Sequence, residues 1–141
     1  MKLINVFTAT LIMIGTVSCN AKSASPETAE LPSDRIEAYY FHFTARCVTC
    51  NTIEANAKEN LETLYPNQFS NGLITFQSIN LEDPSSKPLA KRLGVTGQTL
   101  MIIKGEQKVN ITNEGFLYAV TKPERFREII NEKVDFLLMK Q

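Results

Sequence analysis

The stretch Tyr39–Leu61, YYFHFTARCVTCNTIEANAKENL, decides the fold. It opens with an apolar, β-rich run that reads with Arg35–Phe43 as a strand, apolar on both faces near its end as a doubly buried strand is. Two cysteines follow, Cys47 and Cys50. From there Ile53, Ala57, Leu61 and Leu64 keep helical spacing until Tyr65-Pro66 ends or kinks the helix. The thiols thus fall on a strand-to-helix corner, where a helix start presents unpaired N–H groups and the positive end of its dipole. Both favour a thiolate. A free cysteine titrates near 8.5, and a Cys-x-x-Cys helix start brings that down to between about 3.5 and 7.5. Cys47, on the N-terminal side, is the expected attacking thiolate, and Cys50, inside the first turn, the resolving thiol. Arg46 is the charged neighbour expected to tune the pair.

Outward from the corner, Pro66 leads into NQFSNG, read as a turn, and Leu73–Asn80 is a second strand. SSKPLAKRLGV reads as a short helix closed by Gly94. Leu100–Ile103 and Gln107–Thr112 read as a hairpin around Lys104-Gly105-Glu106. Thr121-Lys122-Pro123-Glu124 has the pattern of a capping box, and Phe126, Ile129, Ile130, Val134 and Leu137 form the apolar stripe of a last helix. The expected order is strand, helix, strand, helix, strand, strand, helix. A parallel unit followed by an antiparallel pair, with helices on both faces, makes an α/β three-layer sandwich on a four-stranded mixed sheet.

The chain has 141 residues, enough for one domain with a real core. Lys plus Arg and Asp plus Glu are 15 each, so no basic excess points to nucleic acid. The N-terminus, MKLINVFTATLIMIGTVSC, has Lys2, an apolar run from Leu3 to Ile14 and then small residues, the pattern of a secretory signal peptide over residues 1–18. Thr16-Val17-Ser18-Cys19 resembles a bacterial lipoprotein box, although such boxes usually begin with Leu. In that reading Cys19 becomes the lipidated first residue and explains the odd count of three cysteines. Plain cleavage near Ala21 or Ala24, discarding Cys19, is the other reading. Two or more acyl chains, at about 0.8 kcal/mol per buried methylene, make a stable anchor. Residues 19–34 then form a Ser-, Ala-, Pro- and Glu-rich tether with a reach of about 50 Å, and residues 35–141 the domain. The expected location is exported and membrane-anchored, facing the periplasm.

Three chemistries compete for the Cys-x-x-Cys pair. A zinc site needs two more ligands, and His42 is the only other His or Cys choice. A static staple is the second. The third is thiol–disulfide exchange, which needs no organic cofactor because the disulfide itself carries two electrons. His42 lies in the apolar strand and reads as packed core, and the aromatics from Tyr39 to Phe43 read as core or groove lining.

Taken together, residues Arg35–Lys140 resemble the thioredoxin superfamily. More narrowly, YYFHFTARCVTCNTIE, LGVTGQTLMIIK and TNEGFLYAVTKPERF resemble a small family named nitrophenyl compound nitroreductase subunit ArsF. No flavin or nicotinamide fingerprint is visible in the sequence, so what the resemblance implies here is exchange at Cys47 and Cys50, with the Gly97, Gln98, Thr99 loop docking a partner protein's extended chain through backbone hydrogen bonds. Two departures stand out. Thr99 occupies the place of the proline that thioredoxins hold in cis opposite their cysteines, which leaves Gln98-Thr99 either trans or a strained cis bond. A threonine hydroxyl there is a candidate partner for a thiolate. The strand also lacks the buried acid of many thioredoxins, with Glu37 the nearest carboxylate. A more open pair suits the alternative function, a lipoprotein binding copper(I) or arsenite through Cys47 and Cys50.

Overall fold

The computed structural model describes residues 34–140, so the expected signal peptide, Cys19 and nearly all of the expected tether lie outside the described residues. The elements are β1 (Ile36–His42), α1 (Val48–Leu64), α2 (Pro66–Ser70), β2 (Ile74–Asn80), α3 (Lys87–Leu93), β3 (Thr99–Lys104), β4 (Gln107–Asn110), α4 (Thr112–Tyr118) and α5 (Pro123–Met139). The sheet order is β2-β1-β3-β4. β1 pairs parallel with β2 and antiparallel with β3, and β3 pairs antiparallel with β4. This is the expected four-stranded mixed sheet in a thioredoxin-like α/β arrangement.

β1 is buried along all of its length because it is central and covered on both sides. Its side chains alternate between the faces. Ile36, Ala38 and Tyr40 join a core made with Ile53, Ala57 and Leu61 of α1 and Phe126, Ile130 and Val134 of α5. Tyr39 and Phe41 point the other way, into a second core with Ala90 of α3, Val95, Met101 and Ile103. The strand therefore carries no exposed face, which is why apolar and aromatic residues dominate both sides of it, with Glu37 and His42 the exceptions.

The structure departs from the sequence reading in three places. Residues 67–72 were expected to turn, but Pro66 sits in the first turn of α2, where its fixed φ suits a helix start. The turn shrinks to Asn71-Gly72, with Gly72 at φ 77°. The capping box does not form: Lys122 caps α5 without a side-chain bond, and the Thr121 hydroxyl instead donates to the Leu117 carbonyl at 2.6 Å. Thr121 thus closes the end of α4, four residues back, rather than opening α5.

The third departure is α4 itself, absent from the expected order. A glycine in the middle of a seven-residue segment hides its helical character. Its reason is packing. A Cβ on Gly115 would stand 3.1 Å from Ile53 Cγ2, so glycine lets α4 lie close on α1. Asn56 Nδ2 also donates to the Ala119 carbonyl at 2.8 Å.

Two tyrosines are held neutral by this packing. Burial, then the neighbouring Glu37 carboxylate, pushes the Tyr39 phenol up to about 12. Burial and Asp135, which accepts the Tyr65 hydroxyl at 2.7 Å, push Tyr65 above the ordinary phenol range. A phenol whose folded pKa lies above its unfolded value near 10 stabilises the fold fully below pH 10, and that stability is lost as pH rises toward the folded value. Alkaline titration of unfolding free energy is therefore expected to fall between about pH 10 and 12, by on the order of 2 kcal/mol for Tyr39. Tyr39→Phe should flatten that part of the curve, and an unchanged slope would refute the assignment.

Candidate active site at the cysteine corner

β1 delivers the chain to the corner and α1 leaves from it. The intervening loop is pinned to the segment after β2. The Leu81 N–H bonds the His42 carbonyl at 2.8 Å, the Thr44 N–H donates to Glu82 Oε2 at 2.7 Å, and Asn80 Nδ2 donates to the Thr44 hydroxyl at 2.9 Å. Hydrogen bonding from Thr44 holds the Glu82 carboxyl below its usual range.

Cys47 is the N-cap of α1, with φ −79° and ψ 164°. Its Sγ accepts the Cys50 N–H at 3.1 Å, so a sulfur fills the place that a serine or aspartate oxygen commonly takes at a helix start. Cys47 and Cys50 are joined as a disulfide with Cα atoms 5.1 Å apart. Cys47 is exposed, whereas Cys50 is 7% exposed.

The loop before β3 lies opposite the disulfide. Gln98 Oε1 is 3.6 Å from Cys50 Sγ, and the other end of the same amide, Nε2, donates to the Tyr40 hydroxyl. There is no cis peptide bond among the described residues, so Gln98-Thr99 is trans. The Thr99 hydroxyl donates to the Gly97 carbonyl at 2.9 Å. It is spent within its own loop, and the residue that reaches the sulfurs is Gln98. The sequence expectation placed the Thr99 hydroxyl there; the Gln98 side-chain amide takes that place instead.

Arg46 reaches the corner, but its guanidinium pairs with Glu54 of α1 and lies 5.8 Å from the centroid of the Tyr40 ring. Burial raises the Tyr40 phenol above its ordinary value, and the Gln98 bond and Arg46 charge partly offset that rise. His42 is buried, with its Nδ1 2.9 Å from the Phe43 carbonyl and its ring stacked against Tyr40. Glu37 is buried on the α3 face of β1, the face turned away from α1 and Cys50, and is shared with Tyr39 rather than with the cysteines. Among the described residues no three His, Cys, Asp or Glu side chains gather as a metal site.

On the α3 side of the sheet a cleft of about 400 Å³ opens between Phe43, Leu81, Ala90, Val95 and Thr96, with Lys87 and Lys91 at its side. Phe43 and Val48 leave 42% and 82% of their surface exposed, so apolar surface flanks Cys47 on both sides in the chain. Tyr40 is a site residue that sequence reasoning placed only within an aromatic cluster of core or groove lining. Its signal was parity: it sits two positions from Ala38 on the face that meets α1.

Fold and corner together define a thioredoxin-like α/β domain with a Cys-x-x-Cys disulfide at its first strand-to-helix turn. No protein-family model matches the chain, and no curated protein matches it.

Proposed function

We propose that this protein is a thiol–disulfide oxidoreductase acting on protein thiols or disulfides. The single observation that carries the reading is the N-cap geometry: the exposed Cys47 sulfur takes a backbone N–H at the start of a seventeen-residue helix. In the reduced state that N–H and the helix dipole favour the Cys47 thiolate. Cys47 attacks the partner, and Cys50, shielded behind it, resolves the mixed disulfide. The partner's extended chain lies along Gly97, Gln98 and Thr99. The disulfide is the only redox group this requires. Kinship with thioredoxins, and with the ArsF family on the three stretches that resemble it, belongs to the same proposal. So does the setting, an exported lipoprotein facing the periplasm and held to the bilayer through Cys19.

Equilibration with glutathione is the test. A reversible two-electron potential between roughly −270 and −120 mV is expected, the span of Cys-x-x-Cys proteins. Alkylation of the reduced protein below neutral pH should label Cys47 first, and fatty-acid labelling should disappear in Cys19→Ala. Stoichiometric copper(I) or arsenite binding without disulfide turnover would replace this reading with soft-ion capture. Preferential labelling of Cys50 would reverse the assigned roles.

A further inference from the structure

The two sulfurs meet opposite kinds of hydrogen-bonding group. Cys47 Sγ receives a donor, the Cys50 N–H at 3.1 Å. Cys50 Sγ faces an acceptor, Gln98 Oε1 at 3.6 Å. An amide oxygen only accepts. The far end of the same amide, Nε2, donates to the Tyr40 hydroxyl. Tyr40 is fully buried in the central strand, packed in the core between α1 and α5, so it is a fixed anchor for the side chain above it.

In the disulfide, Cys50 has no hydrogen to offer and the oxygen and sulfur share nothing. Reduction puts a proton on Cys50, and the waiting oxygen becomes its partner. We propose that Gln98 is the acceptor that holds this proton on Cys50 in the dithiol, with Tyr40 as its positioning residue, so that the loop biases the pair toward the reduced form. The inference rests on the exchange reading above and adds a direction to it. It also divides labour between the sulfurs: Cys47 is left ionised to attack while Cys50 stays protonated until it is needed.

The balance is as follows. The Cys47 thiolate attacks glutathione disulfide, a Cys47–glutathione bond forms, and one glutathione thiolate leaves and takes up a proton. Cys50 then gives up its proton, its sulfur attacks Cys47 Sγ, and the second glutathione leaves as the thiol with that proton. Two electrons pass from the cysteine pair to glutathione. Gln98 Oε1 opposes the loss of the Cys50 proton in the second step, and so weights the equilibrium toward dithiol.

The test is the equilibrium constant against glutathione for full-length protein. One neutral hydrogen bond from a weak S–H donor corresponds to a shift of about threefold toward disulfide in Gln98→Leu, about 15 mV at 30 mV per tenfold. Gln98→Glu keeps an oxygen at that point and should retain the dithiol bias. Tyr40→Phe should shift the constant in the same direction as Gln98→Leu, and the Tyr40→Phe/Gln98→Leu double variant should go no further than Gln98→Leu alone. A general loosening of the loop would make the two effects add. Gln98→Leu at the wild-type constant, a shift toward dithiol, or additive effects would each overturn the proposal while leaving the exchange reading intact. A wild-type protein that never equilibrates with glutathione would overturn both.

Discussion

Cys47→Ser is expected to abolish exchange with glutathione disulfide, whereas Cys50→Ser is expected to accumulate a mixed disulfide on Cys47. The asymmetry follows from position. Cys47 is the exposed N-cap and Cys50 is 7% exposed inside the first turn. A serine hydroxyl is scarcely ionised in neutral water, and the thiolate is the nucleophile in this chemistry. Without Cys47 the first attack has no competent group. Without Cys50 the first attack proceeds and the second cannot, so the partner stays covalently attached. Mass measurement of each variant after incubation with glutathione disulfide distinguishes them. A stable adduct on Cys47→Ser, and none on Cys50→Ser, would exchange the two roles.

The second large effect concerns the core that holds the corner in place. Phe126 of α5 is fully buried against the face of β1 that carries Tyr40. Phe126→Ala removes most of that side chain from a packed interior, a change that costs about 3–5 kcal/mol. Domains of this kind have only about 5–15 kcal/mol of stability in total, so the variant should unfold at markedly lower urea. Where the variant remains folded, Cys47 should still be alkylated ahead of Cys50, because the N-cap bond is local to α1. An unfolding free energy from urea titration within about 1 kcal/mol of wild type would mean that α5 contributes far less to the fold than its burial indicates.

The relation between these two residues is also the design logic of the domain. The chemistry is set by one helix turn and one loop, and the cores on either face of the sheet do no more than hold that turn against that loop. β1 is the shared part. Its residues supply both cores through strict alternation, and Tyr40 on one of those faces reaches up to steady Gln98. A change in β1 is thus expected to be felt in stability and at the site together.

Local pattern was enough to read the four strands, the α1 and α5 stripes, the α3 stop at Gly94 and the cysteine corner. These depend on spacing and on residue types whose preferences act over a few positions: alternation in strands, the 3.6-residue period in helices, a left-handed glycine at a helix end, which Gly94 shows at φ 73°. Short elements were harder. α2 and α4 are too brief for a periodic stripe, and α4 owes its glycine to Ile53, sixty-two positions away in the chain. Thr121 was taken for a cap of the next helix because sequence order alone does not say which of two helix ends a hydroxyl will serve. What only the tertiary structure decided is what stands opposite the cysteines. Gln98 meets Cys50 across forty-eight residues of chain and Tyr40 across fifty-eight, because β3 returns antiparallel beside β1 and lays the loop before it over the start of α1. That pairing is a property of the sheet, where strands distant in sequence become neighbours, and no local preference of Gln98 or Tyr40 encodes it.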